Sequence, residues 1–68
     1  MNRIEASKHI TRIMIASNIC QNNAEDAENS NMPEIAEDLY RAEDMLVKAA
    51  HAFAQHHKIK INWKAVTA

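Results

Sequence analysis

The sequence predicts an all-α fold: an antiparallel two-helix hairpin that dimerises into a four-helix bundle and carries a short extended C-terminal arm. Three observations predict it. Apolar residues recur at alternating four- and three-residue spacings along two long stretches, the signature of amphipathic helices. The only proline, Pro33, lies between those stretches in "ENSNMPEIAED". When the chain is folded there, small residues on one side meet large residues on the other.

The first helix is expected at about 3–28, with a seam of Ala6, Ile10, Ile13, Ser17, Cys20, Ala24 and Ala27. Asn22 and Asn23 weaken its last third. Glu25, Asp26 and Glu28 sit at the negative end of its dipole, at a cost of a few tenths of a kcal/mol each, on the order of the usual dipole term. A turn at 29–31 follows. The second helix is expected at about 32–57, with Asn31 as N-cap, Glu34 reaching back to complete a capping box, and Pro33 in the first turn. Its heptad stripe is Ile35, Leu39, Ala42, Leu46, Ala49 and Phe53. Folded at the turn, Ala27 faces Ile35, Ala24 faces Leu39, Cys20 faces Ala42, Ser17 faces Leu46, Ile13 faces Ala49 and Ile10 faces Phe53. In the tail, 58–68, Ile59, Ile61, Trp63 and Ala65 alternate with Lys60, Asn62 and Lys64, the pattern of a half-buried strand or an extended arm anchored by Trp63.

Sixty-eight residues make one domain, 1–68, whose single core supplies only roughly 3–5 kcal/mol. One cysteine, Cys20, excludes an internal disulfide, so self-association is the expected supplement. Two sets of apolar residues remain for it. Ile4, Ile15 and Ile19 lie opposite the first helix's seam, and Val47 and Ala54 belong to a flank (Ala36, Tyr40, Val47, Ala54) of the second helix. These are the candidate dimer interface.

Composition excludes several function classes. Glycine is absent, so phosphate-cradling loops and nucleophile elbows are missing. The carboxylate pairs Glu25–Asp26, Glu37–Asp38 and Glu43–Asp44 have no cleft to separate their pKa values and read as a solvated face. His9, His51, His56 and His57 lack the thiol or carboxylate partners of a zinc site, although His9 and His56 meet at the hairpin's open end. Cys20, opposite Ala42, reads as an inert packing thiol, and Met14, Met32 and Met45 read as packing residues. No catalytic, cofactor or metal residue is assigned, and the chain is expected to be non-enzymatic. No run of 18 apolar residues and no apolar signal core occurs, so the expected location is the cytoplasm.

Charge is distributed unevenly. Net charge is −1, yet eight of the nine acidic residues lie between Glu25 and Asp44, and Arg41 is the only basic residue among them. The hairpin therefore has an acidic closed tip and a basic open end bearing Arg3, Lys8, Arg12, Lys58, Lys60 and Lys64. Such polarity steers association and sets orientation. The candidate partner-binding residues are Glu25, Asp26, Glu28, Glu34, Glu37, Asp38, Tyr40 and Trp63, and the expected partners are a second copy of the chain and another protein. This profile suits a regulator or inhibitor, such as a phage- or plasmid-encoded modulator of a host protein. Nucleic acid is not expected as a partner, because no recognition helix or aromatic-interleaved basic patch is present; a DNA-binding regulator using the basic end ranks last.

Within "NMPEIAEDLYR", Asn31, Met32, Pro33, Ile35, Ala36, Glu37 and Arg41 resemble the start of the second helix in the theta subunit of bacterial DNA polymerase III. The resemblance covers these 11 residues alone. The first helix has no counterpart, and the second continues as "AEDMLVKAAHAF" without a break. It implies an alternative role, a stabilising accessory subunit of a larger enzyme complex.

Overall fold

The Asn2 side chain opens the first helix by accepting the Glu5 N–H at 2.8 Å, which satisfies one of the amides that a helix start leaves unpaired. The computed structural model describes residues 1–61. It contains α1 (Arg3–Asn29) and α2 (Pro33–His57), packed against each other as a helical hairpin, and no strand among the described residues. The hairpin measures 43 × 21 × 14 Å, a layer one helix thick.

The turn between the helices differs from the expected capping box. Asn31 adopts a left-handed φ of 63°, and the N-cap position falls to Met32, which makes no side-chain cap bond. The Asn31 N–H donates to the Glu28 carbonyl at 3.1 Å and the Met32 N–H to the Ala27 carbonyl at 2.8 Å. This pair of bonds is a Schellman motif, in which the end of α1 is closed by its own backbone. Asparagine takes the place usually held by glycine because its short polar side chain tolerates the left-handed region. The end of α2 repeats the device. Lys58 has φ 54°, its N–H donates to Gln55 at 3.4 Å, and the Ile59 N–H donates to Ala54 at 2.8 Å.

The α1 seam is close to expectation: Ala6, Ile10, Ser17, Ala24 and Ala27 are buried, and Ile13 and Cys20 are half-buried. Met14 joins them at 3% exposure. Ser17 tolerates burial because its hydroxyl donates to the Met14 carbonyl at 2.8 Å.

The α2 seam is rotated from the expected one. The buried residues are Ala36, Ala50 and Ala54, while the expected Leu39, Ala42, Leu46, Ala49 and Phe53 are half-buried, like Tyr40 and Val47, and Ile35 is 51% exposed; Phe53 still packs on the cluster of Ile10, as expected. The helix presents to α1 the stripe one position on, about 100° around its axis. Bulk decides the rotation. Ile10 and Met14 of α1 fill the space between the helices, and the cluster they form closes on Ala50 and Ala54. Leucines at those facing positions would overpack it. Small still meets large, but through different pairs.

Six of the eight buried hydrophobic residues are alanines, and no large side chain is fully buried. An alanine methyl contributes roughly 0.8 kcal/mol on burial, against about 1.5–3 for a leucine, so this seam is thin for its length. Ile59 and Ile61 thicken it at the open end, where both pack on the Ile10–Met14–Ala50–Ala54 cluster. In the described residues the chain past Lys58 thus lies on the hairpin without forming a strand, while Trp63 and the rest of the expected arm lie outside the described residues.

Candidate functional site

Helical spacing on α2 builds a groove near the closed tip. Pro33, Ala36, Glu37, Tyr40, Arg41, Asp44 and Met45 recur at three- and four-residue intervals, and with Glu28 of α1 they line an open groove of about 700 Å³. Pro33, Ala36, Tyr40 and Met45 supply apolar surface, and Glu28, Glu37 and Asp44 give the rim its negative charge. Arg41 is held by Glu37 at 2.6 Å and Lys48 by Asp44 at 3.0 Å, both pairs exposed and one helical turn apart. Exposed pairs of this kind add about 0.3–0.5 kcal/mol each.

Tyr40 joins the two helices chemically. Its hydroxyl hydrogen-bonds the Glu28 carboxylate, which raises its pKa above the usual 10.0, and desolvation and the nearby charges of Glu28, Glu25 and Glu43 push the same way. The phenol is therefore kept neutral over a wide pH range, as a donor pinned to an acidic surface.

Of the expected partner-binding residues, the structure brings Glu28, Glu37 and Tyr40 together in the groove, with Glu25 close enough to act on Tyr40. Asp26, Glu34 and Asp38 are exposed on the same tip but do not line the groove. Trp63 lies outside the described residues. Pro33, Ala36, Arg41, Asp44 and Met45 line the groove without having been expected as partner-binding residues; Met32, 43% exposed, and above all Met45, 70% exposed, also depart from their assignment to packing. The spacing of Met45 from Arg41 and from Pro33 was the available signal.

The open end carries an aromatic stack. His9 stacks on Phe53 with ring centroids 5.9 Å apart, His57 stacks on the other side at 6.3 Å, and His56 meets His57 edge-on at 4.9 Å. His57 Nδ1 also lies 3.1 Å from the Phe53 carbonyl. His9 and His56, expected near each other at the open end, are linked there through Phe53 and His57. No group of three or more His, Cys, Asp or Glu among the described residues could hold a metal ion.

The expected dimer residues divide. Ile4, Ile15 and Ile19 are exposed at 70%, 48% and 53% on the side of α1 away from α2. Ala54 belongs to the hairpin's own core, and Val47 is half-buried on the same side of α2. On the neighbouring flank of α2, Leu39, Ala42, Leu46, Ala49 and Phe53 are half-buried and Ile35 is exposed.

No helix among the described residues is long and apolar enough to cross a membrane. No protein family, curated protein or solved structure matches the chain.

Proposed function

We propose that this chain is a non-enzymatic, cytoplasmic protein-binding regulator or inhibitor that works as a homodimeric four-helix bundle and docks its acidic tip on a basic surface of another protein. A phage- or plasmid-type modulator of a host protein has this character. The observation that carries the reading is the groove beside the turn, where apolar Pro33, Ala36 and Met45 lie between Glu28, Glu37 and Asp44 with the neutral phenol of Tyr40 among them. Apolar surface supplies affinity there, while the carboxylates steer and orient a basic partner. Met32 in the turn and Met45 in the groove, both exposed, suit a surface that adapts its packing to what it meets.

The test is capture from the native host with the full chain, beside a variant in which Glu28, Glu37 and Asp44 are replaced by Gln, Gln and Asn. A protein retained by the first and released both by the substitutions and by raised salt, with its activity altered when the chain is added back, supports the reading. A captured protein indifferent to all three substitutions would refute the acidic-tip contact. A polymerase or other enzyme assembly that is stabilised rather than inhibited would favour the accessory-subunit alternative implied by the 31–41 resemblance.

A further inference from the structure

The hairpin has two broad faces, and they are unlike each other. On one, α1 places His9, Ile13, Ala16 and Cys20 beside Ile35, Leu39, Ala42, Leu46, Ala49 and Phe53 of α2. All but Ile35 are half-buried, and Ile35 is exposed. The His9–Phe53 stack shows that the two sets share a side. On the opposite side of α2 helical spacing places Glu37, Arg41 and Asp44, which line the groove with Glu28 and Tyr40. The hairpin's own seam is mostly alanine, and this face gathers Ile35, Leu39, Leu46 and Phe53 of α2 with part of each open to solvent, while Ile4, Ile15 and Ile19 are exposed on the far side of α1.

Resting on the dimer reading above, we infer that a second copy of this chain covers this face, with the two hairpins antiparallel so that each acidic tip lies over the partner's basic open end. Three features argue for it. The first is the stripe itself, whose spacing reads the same in both directions. A two-fold axis passing α2 beside Asp44 sets Leu39 against the partner's Ala49, Ala42 against the partner's Leu46 and Ile35 against the partner's Phe53. Large meets small in two of these pairs, and the third joins the two bulkiest ends. An isologous interface needs this kind of self-complementarity.

The second is charge. The alternative face-to-face arrangement, with both tips at one end, would crowd the eight acidic residues of each tip together. The antiparallel arrangement instead brings each acidic tip to the end of the other copy that bears Arg3, Lys8, Arg12, Lys58 and Lys60, while the groove carboxylates Glu28, Glu37 and Asp44 stay on the outer side. The third is size. A face of 43 × 21 Å offers roughly 900 Å² per copy, against the about 800 Å² per partner of a standard interface.

The experiment combines light scattering after gel filtration with a distance measurement between spin labels. The labels go on Asn29→Cys in a Cys20→Ala background, one at the exposed tip of each copy. The expected result is a dimer with a label separation near the 43 Å length of the hairpin, converted to monomer by Leu46→Glu and unaffected by Ile15→Glu with Ile19→Glu. A separation under half that length means the tips lie together and overturns this inference while leaving dimerisation standing. So does dissociation by the Ile15 and Ile19 substitutions alone. A monomer in the unsubstituted chain overturns this inference and the dimer reading together; the distance needs only the small change Cys20→Ala on this face, whose dimer the light scattering checks, so misfolding of Leu46→Glu does not blunt the test.

Discussion

The Arg3 guanidinium donates a 3.0 Å hydrogen bond to the Lys58 carbonyl, 55 residues away, and so fastens the beginning of α1 to the end of α2. Lys58 is also the left-handed residue of the second Schellman motif. One position therefore ends a helix, turns the chain toward Ile59 and Ile61, and receives the N-terminal segment. Arg3→Ala removes the donor to an exposed carbonyl that water can satisfy in its place. The expected loss is about 0.5 kcal/mol, at the low end for a single hydrogen bond, and hydrogen exchange will show it as faster opening of both helix ends.

Lys58 and Asn31 hold left-handed backbone without being glycine. For an ordinary side chain that conformation costs roughly 1–2 kcal/mol, while a glycine adds about 0.5–1 of unfolded-chain entropy. Lys58→Gly is therefore expected to stabilise the hairpin by about 0.5–1 kcal/mol, and Asn31→Gly by less, because asparagine already tolerates the region. Asn31→Val is expected to destabilise by more than about 1 kcal/mol, since a β-branched residue is a strong outlier there. Thermal unfolding of the three variants checks the order.

The rotation of α2 has its own test. Ala50 is fully buried against the Ile10–Met14 cluster, whereas Ala52, two residues on, is exposed. Ala50→Leu is expected to cost about 1–3 kcal/mol by overpacking, and Ala52→Leu within about 0.5. Met14→Ala, which empties the other side of the same contact, is expected to cost about 2–5 kcal/mol. Equal effects at positions 50 and 52 in chemical denaturation would mean that α2 does not present its alanine stripe to α1.

These residues also show what could be read without coordinates. The two helices and the turn were legible because their signals are local: periodicity on each side of Pro33, and a cluster of Asn, Ser and Pro that cannot extend a helix. The face that α2 turns to α1 was not. Two apolar stripes one position apart, one starting at Ile35 and one at Ala36, have the same period, and placing the larger residues inside selects the first. The outcome depends on Ile10 and Met14 of the other helix, which demand small partners and so favour the second. Asn31 posed a similar ambiguity, because asparagine suits both an N-cap and a left-handed C-terminal turn. The turn prevails because it satisfies two carbonyls of α1 at once. At the candidate site the acidic residues were visible as composition, but the groove needs Glu28 from one helix beside Tyr40 from the other, which no linear spacing states.

That Glu28–Tyr40 contact gives the pH dependence. The hydrogen bond to the carboxylate favours the neutral phenol in the folded chain, so its pKa lies above 10.0 when folded and returns toward 10.0 when unfolded. The contact's contribution to stability is fully present below pH 10 and is lost as pH rises through the folded-state value, because the ionised phenol repels Glu28, Glu25 and Glu43. A spectrophotometric titration of the single tyrosine at 1–61, followed by its ultraviolet absorbance, is expected to show ionisation later than in denaturant. Glu28→Gln removes one of the charges and leaves only a neutral, weaker acceptor for the hydroxyl, and is expected to move the titration back toward that of the unfolded chain while Glu25 and Glu43 keep part of the shift. A Tyr40 titration that does not respond to Glu28→Gln would mean that the hydroxyl is not bonded to that carboxylate, and the tip groove would lose the link between its two helices.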